Sequence, residues 1–457
     1  APEGYDHLFE GCHTYKRNGW YYVFNPALGY DGVQMISRSR DLYGPYETKV
    51  LIDDDINYAG AGVHQGGYIE TAEGESWAYT FQDRDYMGRC LMLYPMKWEN
   101  EWPVVGPEGR PGKGVVTYRK PAVRGKHKMN YPHHSDSFDK PELAPVWEFN
   151  HVPHKEKWSL TDRPGYFRIY AQHAKGFYWA RNSLTQKVTG PYSTGTVLLD
   201  LSGLKEGDFA GNGIMGRMMY QFGVRKKDNR FWLEMREGNR DAAEMIVDSL
   251  ELNDVQRIYL RTETTKEGAT RFHYSLDRQY HCFGPEGVSN FWGFLGIRHA
   301  LCCYNVMKGN PCGYADFDSF ELESAHRGNH YDAFTEIDFS RYDDREGMTL
   351  VRPVGKRPMQ FLTDIKDGDW LVFNNLTFKK RPGKVTLELQ ASNPGGVLEM
   401  RRGSLQGELL ASCTIQSTNG EWTKQSFEVK KLRKKEKVYF VFRGSNKGLS
   451  IKNFIFE

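Results

Sequence analysis

A single carboxylate, Glu10, stands ahead of the aromatic run Gly19–Phe24 in the stretch FEGCHTYKRNGWYYVF, residues 9–24. It stands beside apolar Leu8 and Phe9 at a strand start, and an acid working near neutral pH needs a pKa raised by burial or a neighbouring carboxylate. An acid that keeps its proton near neutral pH can protonate a leaving group; the plainer alternative is a strand edge. His64, in GVHQGG, has glycines on both sides that let another group approach the backbone closely. A lone histidine is also commonly a structural one, bonded to backbone. Arg89, in MGRCLMLYPMKW, carries a guanidinium suited to bidentate contact with hydroxyls or carboxylates, or it lies in a surface turn. Gln82 and Asp83, in the strand before it, could line the same pocket.

The elements that must position these groups read as β throughout. Gly numbers 47, aromatics are 14% and hydrophobic residues 39% of the 457 residues, and the segments WYYVFN, GVQMISRS, GYIETA, SWAYTFQ, CLMLYPMKW and WPVVG have strand composition. LYGPYE, TAEGES and DYMGR supply the turns. A chain of this length predicts two to four domains. No apolar run reaches the ~18 residues of a membrane span. Lys+Arg 61 against Asp+Glu 58 gives a net charge of +3, which argues against a nucleic-acid partner. The seven cysteines show no zinc spacing and are expected mostly as buried thiols, with a Cys302–Cys312 bridge left open. His133 and His134, with Asp136 and Asp139, are expected in a polar loop rather than around a metal.

The stretch around Glu10, then GPYETKV, then GVHQGGYIETAEGESWAYTFQDRDYMGRCLMLYPMKW, resemble in this order the second half of a glycoside hydrolase family 43 catalytic domain. Further on, VWEFNHVPHKEKWSLTDRPGYFRIYA, ARNSLTQKVTGP and GYADFDSFELE look like the concanavalin-like sandwich that follows the propeller in many β-xylosidases and α-L-arabinofuranosidases of that family. TDIKDGDWLVFNNLTF, ASNPGGVLEMRRG and VYFVFRGSNKGLSIKNFIFE resemble a family 6 carbohydrate-binding module. The resemblance implies an all-β chain: the C-terminal part of a five-bladed β-propeller (1–118, two blades and part of a third), a linker (119–144), a concanavalin-like β-sandwich (145–325) and a second, jelly-roll β-sandwich of binding-module type (326–457).

What the resemblance implies for chemistry follows residue by residue. Glu10 is the general acid of an inverting glycosidase that removes xylosyl or arabinofuranosyl residues from plant cell-wall polysaccharide. The general base and the Asp that adjusts the acid have no counterpart in residues 1–9, and Asp6 is too near Glu10 to serve. Activity is therefore expected only with the N-terminal part of the propeller supplied, for instance by a separate fragment; a non-catalytic carbohydrate-binding protein is the alternative. Arg89 and Gln82 contact the sugar, whereas Trp20, Trp77 and Trp98 are expected in the blade core. His64 lies on the propeller axis and helps hold calcium, through water. In the third domain Trp422 stacks on a sugar, Asp364 replaces a companion aromatic, and Trp370 is core. Glu336 and Asp338 hold a structural calcium, with Asn453, where an Asp is expected, as a further oxygen donor. No organic cofactor is implied, and the protein is expected to be secreted, periplasmic or on the cell surface.

Overall fold

The computed structural model describes residues 4–5, 10–27, 32–127, 133–190, 192–289, 294–309, 311–324, 330–353, 359–430 and 432–457. Asp6, Leu8 and Phe9, invoked above beside Glu10, lie outside them. The chain forms two compact units: one comprises 1–83, 90–126 and 327–457, the other 84–89 and 127–326.

The first unit opens with two four-stranded antiparallel meanders. The first is β1 (His13–Arg17), β2 (Trp20–Ala27), β3 (Val33–Ser39) and β4 (Glu47–Ile52); the second is β5 (His64–Glu70), β6 (Ser76–Asp83), β7 (Arg89–Glu99) and β8 (Trp102–Val105). These are two propeller-type blades. The part of a third blade expected within 1–118 has no strand among the described residues, and most of the residues ahead of β1 lie outside them. The two-residue turns Asn18-Gly19 and Asn100-Glu101 have positive φ at both positions, the geometry that matches strand twist in a tight hairpin. Period-2 alternation sends Tyr22, Phe24, Ile36, Leu51, Val63, Ala78, Tyr94 and Met96 into one core. Arg38 lies over the rings of both Trp20 and Trp102, 4.3 and 3.9 Å from their centroids, and closes the rim of that core.

The third-domain residues of this unit form two packed sheets. One orders Tyr331–Asp332, Trp370–Thr377, Lys435–Arg443, Val397–Arg402 and Leu409–Thr414, and the other Thr349–Val351, Phe361–Thr363, Leu449–Phe456, Lys384–Ala391 and Thr423–Glu428. Between them Phe339, Phe373, Phe440 and Phe454 make edge-on and tilted ring contacts at about 5–6 Å centroid distance. Trp370, expected in this core, is half-buried instead, its ring 5.5 Å from Tyr439. Its neighbours Leu371 and Phe373 take the inward positions, so the pleat turns Trp370 outward. This domain docks on the blades. Arg110 donates two 3.0 Å hydrogen bonds to Asp344, and Thr117 donates to Asp343 at 2.5 Å. Val116 packs against both hydrophobic cores.

The second unit is a two-sheet sandwich. Its eight-stranded sheet runs Trp158–Ser159, Phe167–Tyr170, Tyr314–Ser324, Ser193–Asp200, Arg257–Thr264, Ala269–Ser275 and His281–Cys282, with Gly287–Val288 beside Ala269–Ser275. Its seven-stranded sheet runs Met245–Leu252, Arg230–Gly238, Met219–Lys227, Asp208–Met215, Arg298–Asn305, Leu184–Lys187 and Glu148–Phe149. The stretch 119–144, expected as a linker, is divided between the units. Arg119 and the Ala122 amide bond Glu75 of the first unit, at 2.6 and 2.8 Å. In the second, Asp136 bridges to Phe320, accepts from the Trp147 indole at 2.8 Å, and is followed by the core residue Phe138. The short segment 84–89, between two blade strands in sequence, is also built into the sandwich: Tyr86 joins its core, and the Ile297 amide donates to the Tyr86 carbonyl at 2.7 Å.

One buried carboxylate gathers two arginines on the eight-stranded sheet. Asp316, 1% exposed, receives Arg168 Nε at 2.7 Å, Arg168 Nη2 at 2.8 Å and Arg163 Nη1 at 2.9 Å. Elsewhere, burial pushes the Glu244 carboxyl above its ordinary range, although Phe177 N, Tyr304 and Arg236 all favour its charged form. All seven cysteines are free thiols, so Cys302 and Cys312 are not bridged. Cys302 is enclosed in a small apolar cluster with Phe209 and Tyr304, and Cys312 lies beside His173.

Candidate active site

Glu10 is solvent-exposed and precedes Gly11, which fixes its neighbourhood. Gly11 has φ +56, and a Cβ there would fall 2.0 Å from Gln65 Nε2. The chain around Glu10 thus lies directly against the first residues of β5. Those residues form a bulge: the β5–β6 register shifts between His64 and Gly67, and Gln65 has φ +54. Bulges of this kind re-aim side chains and are common beside functional sites.

His64 is buried at the head of β5. Its Nδ1 lies 3.0 Å from the Gly62 carbonyl, which can only accept, so Nδ1 carries the proton. Its ring meets Phe81 edge-on at 4.7 Å. Gly32 allows this placement, since a Cβ at that position would sit 2.1 Å from His64 Nδ1. Behind the bulge, Tyr15, Tyr79 and His13 form a chain of contacts: the two phenol oxygens are 3.4 Å apart, and Tyr79 Oη is 3.2 Å from His13 Nδ1. Burial, with the hydrogen bond to Tyr79, pushes the Tyr15 phenol well up.

Gln82 has a different place from the one expected of a sugar contact. It is fully buried, and its amide nitrogen donates to the carbonyls of Asp55 and Ala61 at 2.6 and 2.7 Å. It therefore holds the loop 54–63 that leads into His64. Arg89 belongs to the second unit, where its guanidinium lies 3.7 Å from the centroid of the Phe294 ring and its amide donates to the Phe294 carbonyl at 3.1 Å. Glu10, His64 and Gln82 all fall in the first unit. The three blade tryptophans are packed as blade residues: Trp77 is buried, Trp20 lies under Arg38 and Arg40, and Trp98 under Arg17. A cavity of about 310 Å³ lined by Arg17, Glu75, Trp77, Trp98 and Arg119 sits at the Glu70–Ser76 end of the β5–β6 pair, away from the His64–Phe81 end. Hydrogen bonds from Arg119 and the Ala122 amide pull Glu75 down to about 2, so this cavity is internally charge-paired.

In the third domain Trp422 is half-buried, edge-on to Phe361 at 5.3 Å, with Lys452 Nζ 5.9 Å from its ring centroid. Asp364, in place of the companion aromatic, has φ +53 and lies in a bend just after Phe361–Thr363. Glu336 and Asp338 flank Ile337 and are both half-buried, and Asp338 pairs with Asn453 across the sheet. The Asn453 amide nitrogen donates to Glu388 Oε2 at 2.7 Å, which assigns its other arm, the carbonyl oxygen, to the acceptor role. Two carboxylates and an amide oxygen are the donor type a hard cation takes. No group of three His, Cys, Asp or Glu that could hold a metal occurs among the described residues, at this place or around His64, where the expected contact with calcium runs through water.

A modular all-β chain with a bulged, histidine-headed blade strand is defined by this geometry. Comparison with known proteins gives its segments families. Residues 5–103 match the glycosyl hydrolases family 43 model, 135–323 the beta xylosidase C-terminal concanavalin A-like domain, and 340–457 the carbohydrate binding module family 6. The chain thus carries a family 43 segment, its concanavalin-like companion and a family 6 module, in that order. It is 32% identical over 279 residues to a putative beta-xylosidase of Xylanibacter ruminicola, covering 60% of this chain and 51% of that protein. It is 29% identical to a beta-xylosidase of Formosa agariphila, covering 69% and 59%. A solved structure, a bifunctional GH43-CE protein of Bacteroides eggerthii, superposes with a TM-score of 0.61 at 32% identity, over 74% of this chain and 42% of that one. The chain therefore spans about half the length of the relatives it matches.

Proposed function

We propose that this chain is the acid-bearing part of a family 43 glycosidase that removes terminal xylosyl or arabinofuranosyl residues from xylan-related glycans. The observation that carries the reading is the exposed Glu10 set by Gly11 against the bulge at His64–Gly67, inside a segment that matches family 43. The names of its relatives, beta-xylosidase and, for a protein of Bacteroides ovatus, non-reducing end alpha-L-arabinofuranosidase, support a five-carbon sugar in the pocket. Glu10 protonates the leaving oxygen while a carboxylate elsewhere in the complete site activates water across the ring. Single-step inversion needs about 6.5–9.5 Å between those two carboxyl groups. Export to the cell surface, the periplasm or the medium follows from a polymeric substrate. No helix among the described residues is long and apolar enough to cross a membrane. Nitrophenyl β-xyloside and α-arabinofuranoside, assayed on the full-length protein, test the activity: release of nitrophenol is expected, and sugar binding without release would favour a purely binding protein.

Calcium at Glu336 and Asp338 is part of this reading. Saturating calcium is expected to raise the stability of the third domain over its chelated form by about 2–3 kcal/mol at a hundredfold excess over Kd. Asp338→Ala removes that difference. Melting curves with and without chelator measure it, and identical curves for the unsubstituted protein would rule the site out.

A further inference from the structure

The loop 54–63 delivers His64, and it is held from two sides. On the blade side, Gln82 takes the Asp55 and Ala61 carbonyls, and Asp54 accepts from the amides of Ile56 at 2.8 Å and Gly114 at 3.0 Å. On the other side stands the third domain, some three hundred residues away in sequence. Tyr342 Oη donates to the Ile56 carbonyl at 2.6 Å in a buried bond, and that phenol in turn accepts from Arg345 Nε at 2.8 Å. Gln360 brackets the next turn: its Oε1 accepts from the Ala59 amide at 3.0 Å, and its Nε2 donates to the Asn57 carbonyl at 3.4 Å. Arg352 lies 4.7 Å from the centroid of Tyr58.

The residue at the centre of this clamp is strained. Ile56 is β-branched and has φ +51, a region that such side chains avoid. Strain of this kind persists only where the surroundings over-determine the backbone, and it concentrates at functional sites. Here Tyr342 captures the carbonyl of the strained residue itself. The loop then returns through Val63, whose amide bonds the Asp54 carbonyl at 3.1 Å, directly into the Gly62 carbonyl–His64 contact.

We propose that Tyr342 and Gln360 of the third domain are positioning residues for the propeller site: they fix the loop 54–63 and through it the orientation of His64. The binding-module fold then serves as a buttress of the blade, whatever sugar it also binds. The proposal rests on the reading of His64 as a site residue, but its test does not need activity.

The full chain is compared with Tyr342→Phe, Gln360→Leu and Gln360→Glu by amide hydrogen exchange, and by NMR of the ¹⁵N-labelled histidine rings. Losing one such hydrogen bond is expected to speed exchange of the Tyr58–Val63 amides by between about two- and tenfold in Tyr342→Phe and Gln360→Leu. The His64 ring signals move in both, while amides in Lys435–Arg443 and Leu449–Phe456 keep their rates. Gln360→Glu keeps the acceptor for the Ala59 amide and restores protection there. Arg110→Ala cuts the pair with Asp344 at the same interface, leaves the Asp344 bond to the Arg345 amide in place, and is expected to leave the loop unchanged. Unaltered loop exchange in both Tyr342→Phe and Gln360→Leu overturns the proposal, as does an Arg110→Ala effect equal to theirs, which would make the loop respond to docking in general. Absence of glycosidase activity would count against the functional reading alone.

Discussion

With Glu10 as the proposed acid, replacing it by Gln is expected to lower kcat/KM of the full-length protein on xylosides or arabinofuranosides by about 10²–10⁴-fold, the usual contribution of a positioned general acid. The amide keeps the size and polarity of the side chain but has no proton to give. The loss is accordingly largest for alkoxide leaving groups and shrinks for aryl groups that depart without protonation. Binding survives, because an exposed side chain at the edge of the bulge is not needed to hold Gln65 or His64. Steady-state kinetics on a pair of substrates differing only in leaving group measures this. An equal loss on both, or none, removes Glu10 from the proton-transfer step.

The second large effect is on stability. Asp316→Ala leaves the guanidinium groups of Arg163 and Arg168 partly buried without the carboxylate that joins them. Breaking a buried pair by removing one partner costs about 3–5 kcal/mol, against about 0–1 kcal/mol for a surface pair. Asp200 compensates one side only, through its 2.9 Å contact with Arg163. For a unit of this size each kcal/mol is worth roughly 2–4 °C, so the sandwich transition falls by roughly 6–20 °C. Calorimetry that resolves separate transitions is the measurement. A shift matching a loss under about 1 kcal/mol would show that the cluster behaves like a surface network.

Much of the architecture is legible in the sequence because strands announce themselves locally. Alternation in WYYVFN and YFRIYA, and turns such as Asn18-Gly19, need only near neighbours to act. The ordered motifs carried the segment families for the same reason. What escaped is set at long range. No pattern in DRDYMG says that Tyr86 is buried in the core of the second unit. A polar-looking 119–144 hides Phe138 and Asp136, whose partners Trp147 and Phe320 lie 9 and 184 positions on. Gln82 reads as a pocket amide until the loop it bonds is in place, and Trp370 reads as core until the pleat is counted from Leu371. The contacts of Tyr342 and Gln360 with residues 56–59 span 286 to 303 positions. Only the positive φ of Ile56 could have pointed to them, and sequence does not disclose it.

Single-step displacement fixes the stereochemistry of the product. Proton NMR of the first anomer released from a β-xyloside or α-arabinofuranoside, recorded before mutarotation, decides it. A first product of opposite anomeric configuration to the substrate is predicted, as single-step displacement requires. A first product of retained configuration would contradict it.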